Sequence, residues 1–238
     1  MSHLQGQVAL ITGGSSGIGF SIASCLASEG MTVAITARNE KRLEEAAERL
    51  RRTCGKKIIA KPCDVSKSTE VDAFVREVIK TTGRIDLLVN NAGIFKHGLI
   101  SDMSEAEWEQ IQSINLKGAF LFTKAVLSIM KEQRAGYVVN ISSVAGKNGF
   151  GGASAYCASK FGMIALTESL LEESIDDNIR STAICPGYVD TPMVASVDLP
   201  KKAMIPPEDI AKLVLSLLYL SPQTVIKEIV VDRAGSIQ

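Results

Sequence analysis

Tyr156 and Lys160 stand four residues apart in the segment Tyr-Cys-Ala-Ser-Lys. On a helix they share one face, so the lysine ammonium can stabilise the tyrosine anion and lower the pKa of the phenol, which is ordinarily about 10. Ser143 lies thirteen residues before the tyrosine, just after an apolar run at residues 137–141. A hydroxyl at that strand end can polarise a carbonyl oxygen beside the phenol. The three groups predict proton transfer at a carbonyl, although a tyrosine near a lysine is also typical of a solvated helix face.

A glycine-rich turn follows the first apolar run of the chain. Residues 8–11 read Val-Ala-Leu-Ile and lead into Thr-Gly-Gly-Ser-Ser-Gly-Ile-Gly at residues 12–19, after which a helical pattern begins. Glycines allow positive φ and the close approach of a ligand, and the start of a helix offers free N–H groups and the positive end of its dipole. The segment therefore predicts a pyrophosphate site. Its spacing departs from the Gly-x-Gly-x-x-Gly fingerprint, and a turn that needs glycine for geometry alone is the alternative.

Further motifs follow in order, and together they resemble the short-chain dehydrogenase/reductase family over residues 7–235. The matching positions are residues 12–19, Asp64, Asn-Asn-Ala-Gly at residues 90–93, Asn115, Ser143, Tyr156, Lys160, Pro186, Gly187 and Thr191. The resemblance implies hydride transfer between a nicotinamide cofactor and a small carbonyl or secondary alcohol substrate. It also implies that Asn115, Ser143, Tyr156 and Lys160 form a catalytic tetrad.

Each member of this tetrad has a role that the resemblance implies. Tyr156 gives the proton to the substrate oxygen, and Ser143 donates a hydrogen bond to the same atom. Lys160 holds the ribose hydroxyls of the cofactor and lowers the tyrosine pKa, while Asn115 holds a water that links this lysine to solvent. Ser142 competes with Ser143, because neighbouring residues on a strand face opposite ways. The spacing of thirteen residues to the tyrosine selects Ser143.

The resemblance also implies a set of cofactor contacts. They are Gly13, Ser15, Ser16, Gly17, Ile18, Gly19, Arg38, Asp64, Val65, Asn91, Ala92, Gly93, Tyr156, Lys160, Pro186, Gly187, Val189 and Thr191. Within this set, Asp64 is the expected adenine contact, and Val189 and Thr191 are expected near the carboxamide of the nicotinamide.

The choice between NADP and NAD depends on the end of the second predicted strand. A carboxylate there would bind the ribose diol of NAD and repel a 2′-phosphate, but Ala37 occupies that position and Arg38 follows it. A guanidinium suits a phosphate monoester. The sequence predicts a preference for NADP(H), with NAD as the alternative, since Ser15 and Ser16 stand where some family members carry a basic residue.

Apolar runs of strand type alternate with helical patterns along the chain. The predicted strands lie at residues 8–12, 32–37, 57–62, 86–90, 137–142, 180–185 and 226–231. This alternation predicts an α/β fold with a doubly wound parallel sheet and helices on both faces. A length of 238 residues suits one Rossmann domain over residues 1–238. The resemblance implies seven strands in the order 3-2-1-4-5-6-7, with a short substrate loop at about residues 192–206.

The amino-acid composition limits the kinds of binding partner that we expect for this protein. Lys plus Arg and Asp plus Glu both number 26, so the net charge is zero, and we expect neither nucleic acid nor a membrane as partner. The five cysteines form no Cys-x-x-Cys pair, which favours buried thiols in a reducing compartment. The polar start of the chain favours a cytoplasmic location. His3 and His97 do not form a metal-ligand pattern, so no metal is expected.

The substrate is the least specified part of the prediction. A reductase of 3-oxoacyl esters bound to an acyl carrier is one alternative, with Arg134 as a docking residue, but Asp176 and Asp177 stand where a second basic residue would help. A non-catalytic Rossmann protein that senses NADP is another, and an intact tetrad speaks against it. A methyltransferase, which also uses a glycine loop, has no use for Tyr156 and Lys160.

Two helical segments predict an oligomer. Residues 114–130 and 156–173 are apolar over more of their circumference than contact with one sheet requires. The surplus would leave an exposed patch that pairing about a two-fold axis buries, and the resemblance implies dimers through these helices and often tetramers. The sequence therefore predicts a homodimer or homotetramer, with Phe122 placed on the outer face.

Overall fold

A computed structural model of the chain describes residues 4–55, 58–195 and 197–236. Its strands form one parallel sheet in the order β3-β2-β1-β4-β5-β6-β7, which confirms the predicted topology. The strands are β1 Val8–Thr12, β2 Thr32–Thr36, β3 Ile58–Ala60, β4 Leu87–Asn90, β5 Gly136–Ile141, β6 Ile179–Pro186 and β7 Glu228–Val231. The helices are α1 Gly17–Ser28, α2 Glu40–Cys54, α3 Ser68–Thr82, α4 Glu105–Gln112, α5 Gly118–Gln133, α6 Ser154–Ser174 and α7 Pro207–Tyr219.

Helices cover both faces of the sheet, and the central strands are apolar on both sides as a result. Ala9 and Ile11 of β1 face the core formed with α1, α2 and α7. Val8 and Leu10 of the same strand face the core formed with α3, α5 and α6. A parallel strand buried on both faces reads as a continuous apolar run rather than as an alternating one, which is why the sequence marks these strands clearly.

The predicted edge strand β3 is shorter than its apolar run. It covers Ile58–Ala60 rather than residues 57–62, and Lys57, where the predicted strand begins, lies outside the described residues. Pro62 has no N–H to donate to a ladder, so the strand ends before it. Strand β6 is longer than predicted because its pairing with β7 continues through Cys185 and Pro186.

Helices α4 and α5 are joined by a π-helical turn at Ser113–Lys117. The combined stretch Glu105–Gln133 reaches the length and hydropathy of a membrane-crossing helix, and 44% of its apolar window is buried inside the protein.

Phe122 is fully buried and packs edge to face against Phe74 of α3 at a ring-centroid distance of 6.3 Å. The prediction that Phe122 faces outward is therefore wrong.

The direction of chain progression reverses between β1 and β4, and ligands of such sheets bind in the crevice at that point. Thr12 and Asn91 hold the crevice together. The Thr12 hydroxyl oxygen accepts hydrogen bonds from the backbone N–H groups of Asn91 and Ala92, each at 3.0 Å. The Asn91 side chain donates to the carbonyl oxygens of Thr12 and Gly13 at 2.9 and 3.2 Å. Two loops from adjacent strands are thereby locked together at the carboxyl edge of the sheet.

Candidate active site

One open cavity of about 900 Å³ runs along the carboxyl edge of the sheet. Most of the predicted site residues line it: Gly13, Ser15, Ser16, Gly17, Ile18, Arg38, Val65, Asn91, Ala92, Gly93, Ser143, Tyr156, Lys160, Pro186, Gly187, Val189 and Thr191. Three predicted residues, Gly19, Asp64 and Asn115, lie outside the lining. A cavity of this size is at the upper end of the range for small-molecule and cofactor sites.

Tyr156 lies in the first turn of α6 and meets Ser143 across the cavity. The Ser143 hydroxyl is held in place because its oxygen accepts from the N–H of Ala145 at 3.1 Å, and it donates to the carbonyl oxygen of Pro186 at 3.3 Å. Burial raises the pKa of Tyr156 to about 12, although the hydrogen bond with Ser143 opposes this rise. The phenol is therefore neutral at pH 7 and can act as a proton donor.

Lys160 is buried one turn further along α6. Its ammonium donates to the carbonyl oxygen of Ile141 at 2.8 Å, and its nitrogen lies 5.6 Å from the centroid of the Tyr156 ring. Burial lowers the pKa of Lys160 to about 8. Burial of the phenol outweighs any stabilisation of its anion by Lys160, so the net shift of the tyrosine pKa is upward and not downward as predicted. The lysine places a titratable positive charge beneath the ring.

Asn115 lies in the π-helical turn rather than in a regular helix. Its side-chain oxygen accepts from the N–H of Ile94 at 2.8 Å, and its amide donates to the Ile94 carbonyl oxygen and to the Ser159 hydroxyl oxygen at 2.9 and 3.1 Å. Ser159 in turn donates to the carbonyl oxygen of Tyr156 at 2.7 Å. Such π-helical turns are frequent at functional sites, and this one connects α5 to the turn of α6 that carries the tyrosine.

The glycine loop fits the phosphates of a dinucleotide. Gly17 begins α1 with a φ of +54°, which an L side chain rarely adopts, and a Cβ there would lie 3.0 Å from Thr191. A Cβ on Gly19 would lie 2.4 Å from the Asn91 amide nitrogen, so Gly19 serves close packing rather than the cavity surface. The Ser16 side chain does not cap α1 within the described ranges. The N-terminal N–H groups of α1 are thus not taken up by a Ser16 cap and are placed to bind an anion.

The far end of the cavity carries two exposed cations. Arg38 and Arg42 both line it, and neither forms an ion pair within the part of the chain that the structure describes. Asn39 caps α2 by accepting from the N–H of Arg42 at 2.9 Å, which places Arg42 in the first turn. A cation is unfavourable beside the positive end of a helix dipole, so the pair favours an anionic ligand. Sequence reasoning missed Arg42, because Arg38 precedes α2 and helical spacing therefore does not relate the two side chains.

Asp64 bonds to its own loop and does not line the cavity. Its carboxylate accepts from the N–H and hydroxyl of Ser66 at 3.0 and 2.7 Å. Burial favours a higher pKa for Asp64, but these hydrogen bonds and the charges of Lys67 and Arg38 together outweigh it and hold the pKa below its ordinary value. Its neighbours Cys63 and Val65 line the cavity instead.

The reactive end of the cavity has an apolar wall. The Phe95 ring packs edge to face against the Tyr156 ring at a centroid distance of 5.2 Å, and Phe95 remains 42% exposed. Met193 and Val194 of the predicted substrate loop also line the cavity; Ser196 of that loop lies outside the described residues. Among the lining residues, the charged side chains are the buried Lys160 and the two distant arginines.

Arg134, the predicted docking residue for an acyl carrier, is engaged in an exposed ion pair. It ends α5 before β5 begins, and its guanidinium pairs with the Asp177 carboxylate at 2.7 Å and donates to the Asp176 carbonyl oxygen at 3.0 Å.

Within the described ranges, no group of three His, Cys, Asp or Glu side chains could hold a metal ion, and His3 lies outside those ranges.

The family model described as short chain dehydrogenase matches residues 7–202. The chain belongs to the short-chain dehydrogenase/reductase family. Members of this family are oxidoreductases that bind a nicotinamide cofactor, and the geometry of the glycine loop and of the cavity agrees with that group.

Named relatives within this family include a 3-oxoacyl-(acyl-carrier-protein) reductase of Thermotoga maritima, which is 37% identical over 90% of this chain and 91% of its own length. Among solved structures, a levodione reductase superposes with a TM-score of 0.90 at 34% identity, covering 97% of this chain and 96% of the other. A metagenomic short-chain oxidoreductase in complex with NADP superposes with a TM-score of 0.85 at 36% identity, covering 96% and 97%.

Proposed function

We propose that this protein is an NADP(H)-preferring reductase of neutral, apolar carbonyl compounds, with Tyr156 as the proton donor. The observation that carries the proposal is the neutral Tyr156 phenol, which meets Ser143 at the reactive end of the cavity and packs against the apolar Phe95 ring. A proton donor, a polarising hydroxyl and an apolar wall together suit a carbonyl oxygen attached to a hydrophobic group.

A nicotinamide held by the glycine loop and the cavity would supply the hydride that reduces the carbonyl carbon. Tyr156 donates its proton to the carbonyl oxygen as negative charge develops there. The Ser143 hydroxyl turns from the Pro186 carbonyl oxygen and donates a second hydrogen bond to the same substrate oxygen. The positive charge of Lys160 stabilises the phenolate that remains. Asn115 keeps the turn that contains Tyr156 against the loop that contains Ile94. The proton of the tyrosine is afterwards restored from solvent.

The preference for NADP(H) is supported by Arg38 and Arg42. Two guanidinium groups without an ion pair within the described residues stand beside Ala37, where an acid would select NAD. A 2′-phosphate would neutralise both charges and relieve their unfavourable position at the start of α2. The NADP complex of the metagenomic relative favours the same choice.

A neutral substrate is favoured by the charges that line the cavity. Apart from the buried Lys160, the charged lining residues stand at the nucleotide end. A carboxylate or phosphate on the substrate would therefore lose its hydration at the reactive end without gaining a cation. The carrier-bound 3-oxoacyl ester remains the alternative that the named relatives favour. The pairing of Arg134 with Asp177 speaks against it, because the arginine would have to leave this carboxylate to bind an acidic carrier.

A substrate panel tests this proposal. The purified protein is mixed with NADPH or NADH and one of three carbonyl compounds: a neutral cyclic ketone, a 3-oxo acid and a 3-oxoacyl carrier protein. We expect the highest kcat/KM for the neutral ketone with NADPH. Phe95→Ala should raise KM for this ketone, whereas the matched variant Phe95→Leu should restore most of the affinity. Turnover confined to the carrier-bound ester would contradict the proposed substrate class, and no turnover of any carbonyl would contradict the reaction.

Assembly through α5 and α6 is part of the proposal. Phe120 and Phe161, one on each helix, are both 46% exposed and replace Phe122 as candidates for the outer face. Large exposed aromatic side chains on adjacent helices favour an interface. Light scattering should report a multiple of 25.5 kDa, and Phe120→Glu should dissociate the assembly. The control Phe150→Glu alters a similarly exposed phenylalanine outside these helices and should leave the mass unchanged. A wild-type monomer would contradict the interface.

A further inference from the structure

Helix α6, which carries Tyr156 and Lys160, lacks a single apolar stripe. Ten of its residues are buried, and four of these are polar: Ser159, Lys160, Thr167 and Ser174. Burial of an apolar stripe is what normally sets the rotation of a helix on a sheet. Directed contacts must therefore contribute to the position of α6.

The first directed contact is made by Ser142. This buried serine follows β5, and its backbone N–H donates to the Ile184 carbonyl oxygen of β6 at 2.7 Å, so it is fixed to the sheet. Its hydroxyl donates to the carbonyl oxygen of Lys160 at 3.0 Å. Gly146 approaches the same place so closely that a Cβ there would lie 2.8 Å from both of these oxygens. The sheet edge thus contacts the backbone of α6 at the catalytic lysine itself.

The second directed contact lies two turns further along the helix. The Thr167 carbonyl oxygen accepts from the Ser181 hydroxyl of β6 at 2.7 Å. The Thr167 hydroxyl oxygen accepts from the side-chain amide of Asn140 of β5 at 2.8 Å. Thr167 lies seven positions after Lys160, so the two contacts lie about 10 Å apart on one face of the helix. Two contacts at this spacing fix both the rotation and the height of α6.

We propose that Ser142 is a positioning residue for Lys160, with Thr167 as the second anchor of the same helix. Ser142 holds the backbone of α6 so that the Lys160 ammonium reaches the Ile141 carbonyl oxygen at 2.8 Å and stays beneath the Tyr156 ring. Both serines line the cavity, but their hydroxyls have separate partners: that of Ser143 meets Tyr156, and that of Ser142 bonds to the backbone of α6. The activity readout of this inference rests on the proposed function.

The test compares Ser142→Ala with Ser174→Ala. Ser174 is a matched control because it is also buried and its hydroxyl also donates to an α6 carbonyl oxygen, that of Leu170, yet this bond does not reach the sheet. We expect Ser142→Ala to lower kcat by about tenfold to a hundredfold, as for a small displacement of a catalytic group, with KM for the ketone unchanged. Ser174→Ala should keep the wild-type kcat. Equal kcat values for the two variants would overturn the inference.

A second pair keeps the test decisive where Ser142→Ala does not fold. Thr167→Ser retains the hydroxyl and should retain kcat, whereas Thr167→Val keeps the shape, removes the hydroxyl and should lower kcat. The opposite order would overturn the role of the second anchor.

Amide hydrogen exchange in the first half of α6 separates this inference from the proposed function. Exchange should be faster in Ser142→Ala than in Ser174→Ala even where the wild-type protein reduces none of the carbonyls tested. If the wild-type protein is active and both variants exchange alike, the positioning role fails while the proposed function stands.

Discussion

The two ends of the cavity are built in different ways. At the reactive end, Ser143, Lys160 and Asn115 are buried, and each has hydrogen-bond partners inside the protein. At the nucleotide end, Arg38 and Arg42 are exposed, and neither forms an ion pair within the described ranges. The reactive groups are thus placed by the fold, whereas the arginines are left for a ligand to place.

Because the two ends are built differently, we expect one to control the rate of the reaction and the other to control the affinity for the cofactor. Groups that are fixed before the reaction lower the barrier without further ordering. Exposed arginines lose side-chain freedom when they bind, and only the surplus of their charged hydrogen bonds is measured as affinity. We therefore expect changes at the reactive end to act mainly on kcat, and changes at the nucleotide end to act mainly on the Kd of the cofactor.

The largest effect is expected from Tyr156→Phe. This change removes one hydroxyl and with it the proton donor, so kcat should fall by about 10²–10⁴-fold. The Kd for NADPH, measured by fluorescence, should stay near the wild-type value because the phosphate and adenosine contacts are untouched. Near-normal ketone reduction by this variant would show that another group supplies the proton.

The pH dependence of ketone reduction should depend on Lys160. Burial lowers its pKa to about 8, and the tyrosine, with a pKa of about 12, stays protonated in this range. Below pH 8 the lysine is charged and can stabilise the phenolate. As the pH rises above 8 the charge is lost, so kcat should fall by about tenfold per pH unit.

The control for this pH profile is Lys160→Arg. A guanidinium stays charged throughout the accessible pH range, so the variant should lose the decline above pH 8 even though its maximal rate is lower. If the same decline persists in the variant, the titrating group is not Lys160.

The sheet can be predicted from the sequence because each central strand is recognisable from its own residues. A strand such as β1, which is buried on both faces, is a continuous apolar run between turn residues, and the order of motifs placed Ser143, Tyr156 and Lys160 together. Boundaries were less accurate at the edge, where β3 has a neighbour on one side only. Periodicity could not indicate which face of α5 points outward, because Phe120 and Phe122 lie in an apolar helix whose two sides look alike.

Two features of the site depend on tertiary contacts that spacing does not reveal. The π-helical turn at Asn115 arises where the side chain bonds to the loop at Ile94, and a helical pattern alone cannot mark it. The orientation of Asp64 depends on Ser66, which attracts its carboxylate into the loop. The high pKa of Tyr156 likewise follows from burial by distant segments, whereas its spacing from Lys160 predicted the opposite shift.

The smallest effect is expected at the nucleotide end, where Arg38→Ala and Arg42→Ala should each weaken NADPH binding by about 1–3 kcal/mol, as for a charged hydrogen bond lost. NADH binding should hardly change, because NADH has no 2′-phosphate to lose.

Ala37→Asp should move the preference toward NADH, since a carboxylate binds the ribose diol and repels the phosphate. The control Arg52→Ala removes an exposed arginine of the same helix that does not line the cavity. Titrations that follow nicotinamide fluorescence measure all four variants, and kcat at saturating cofactor should remain near the wild-type value in each. Tighter binding of NADH than of NADPH by the wild-type protein would overturn the preference, and a fall in kcat equal to the loss in affinity would show that the two ends are not independent.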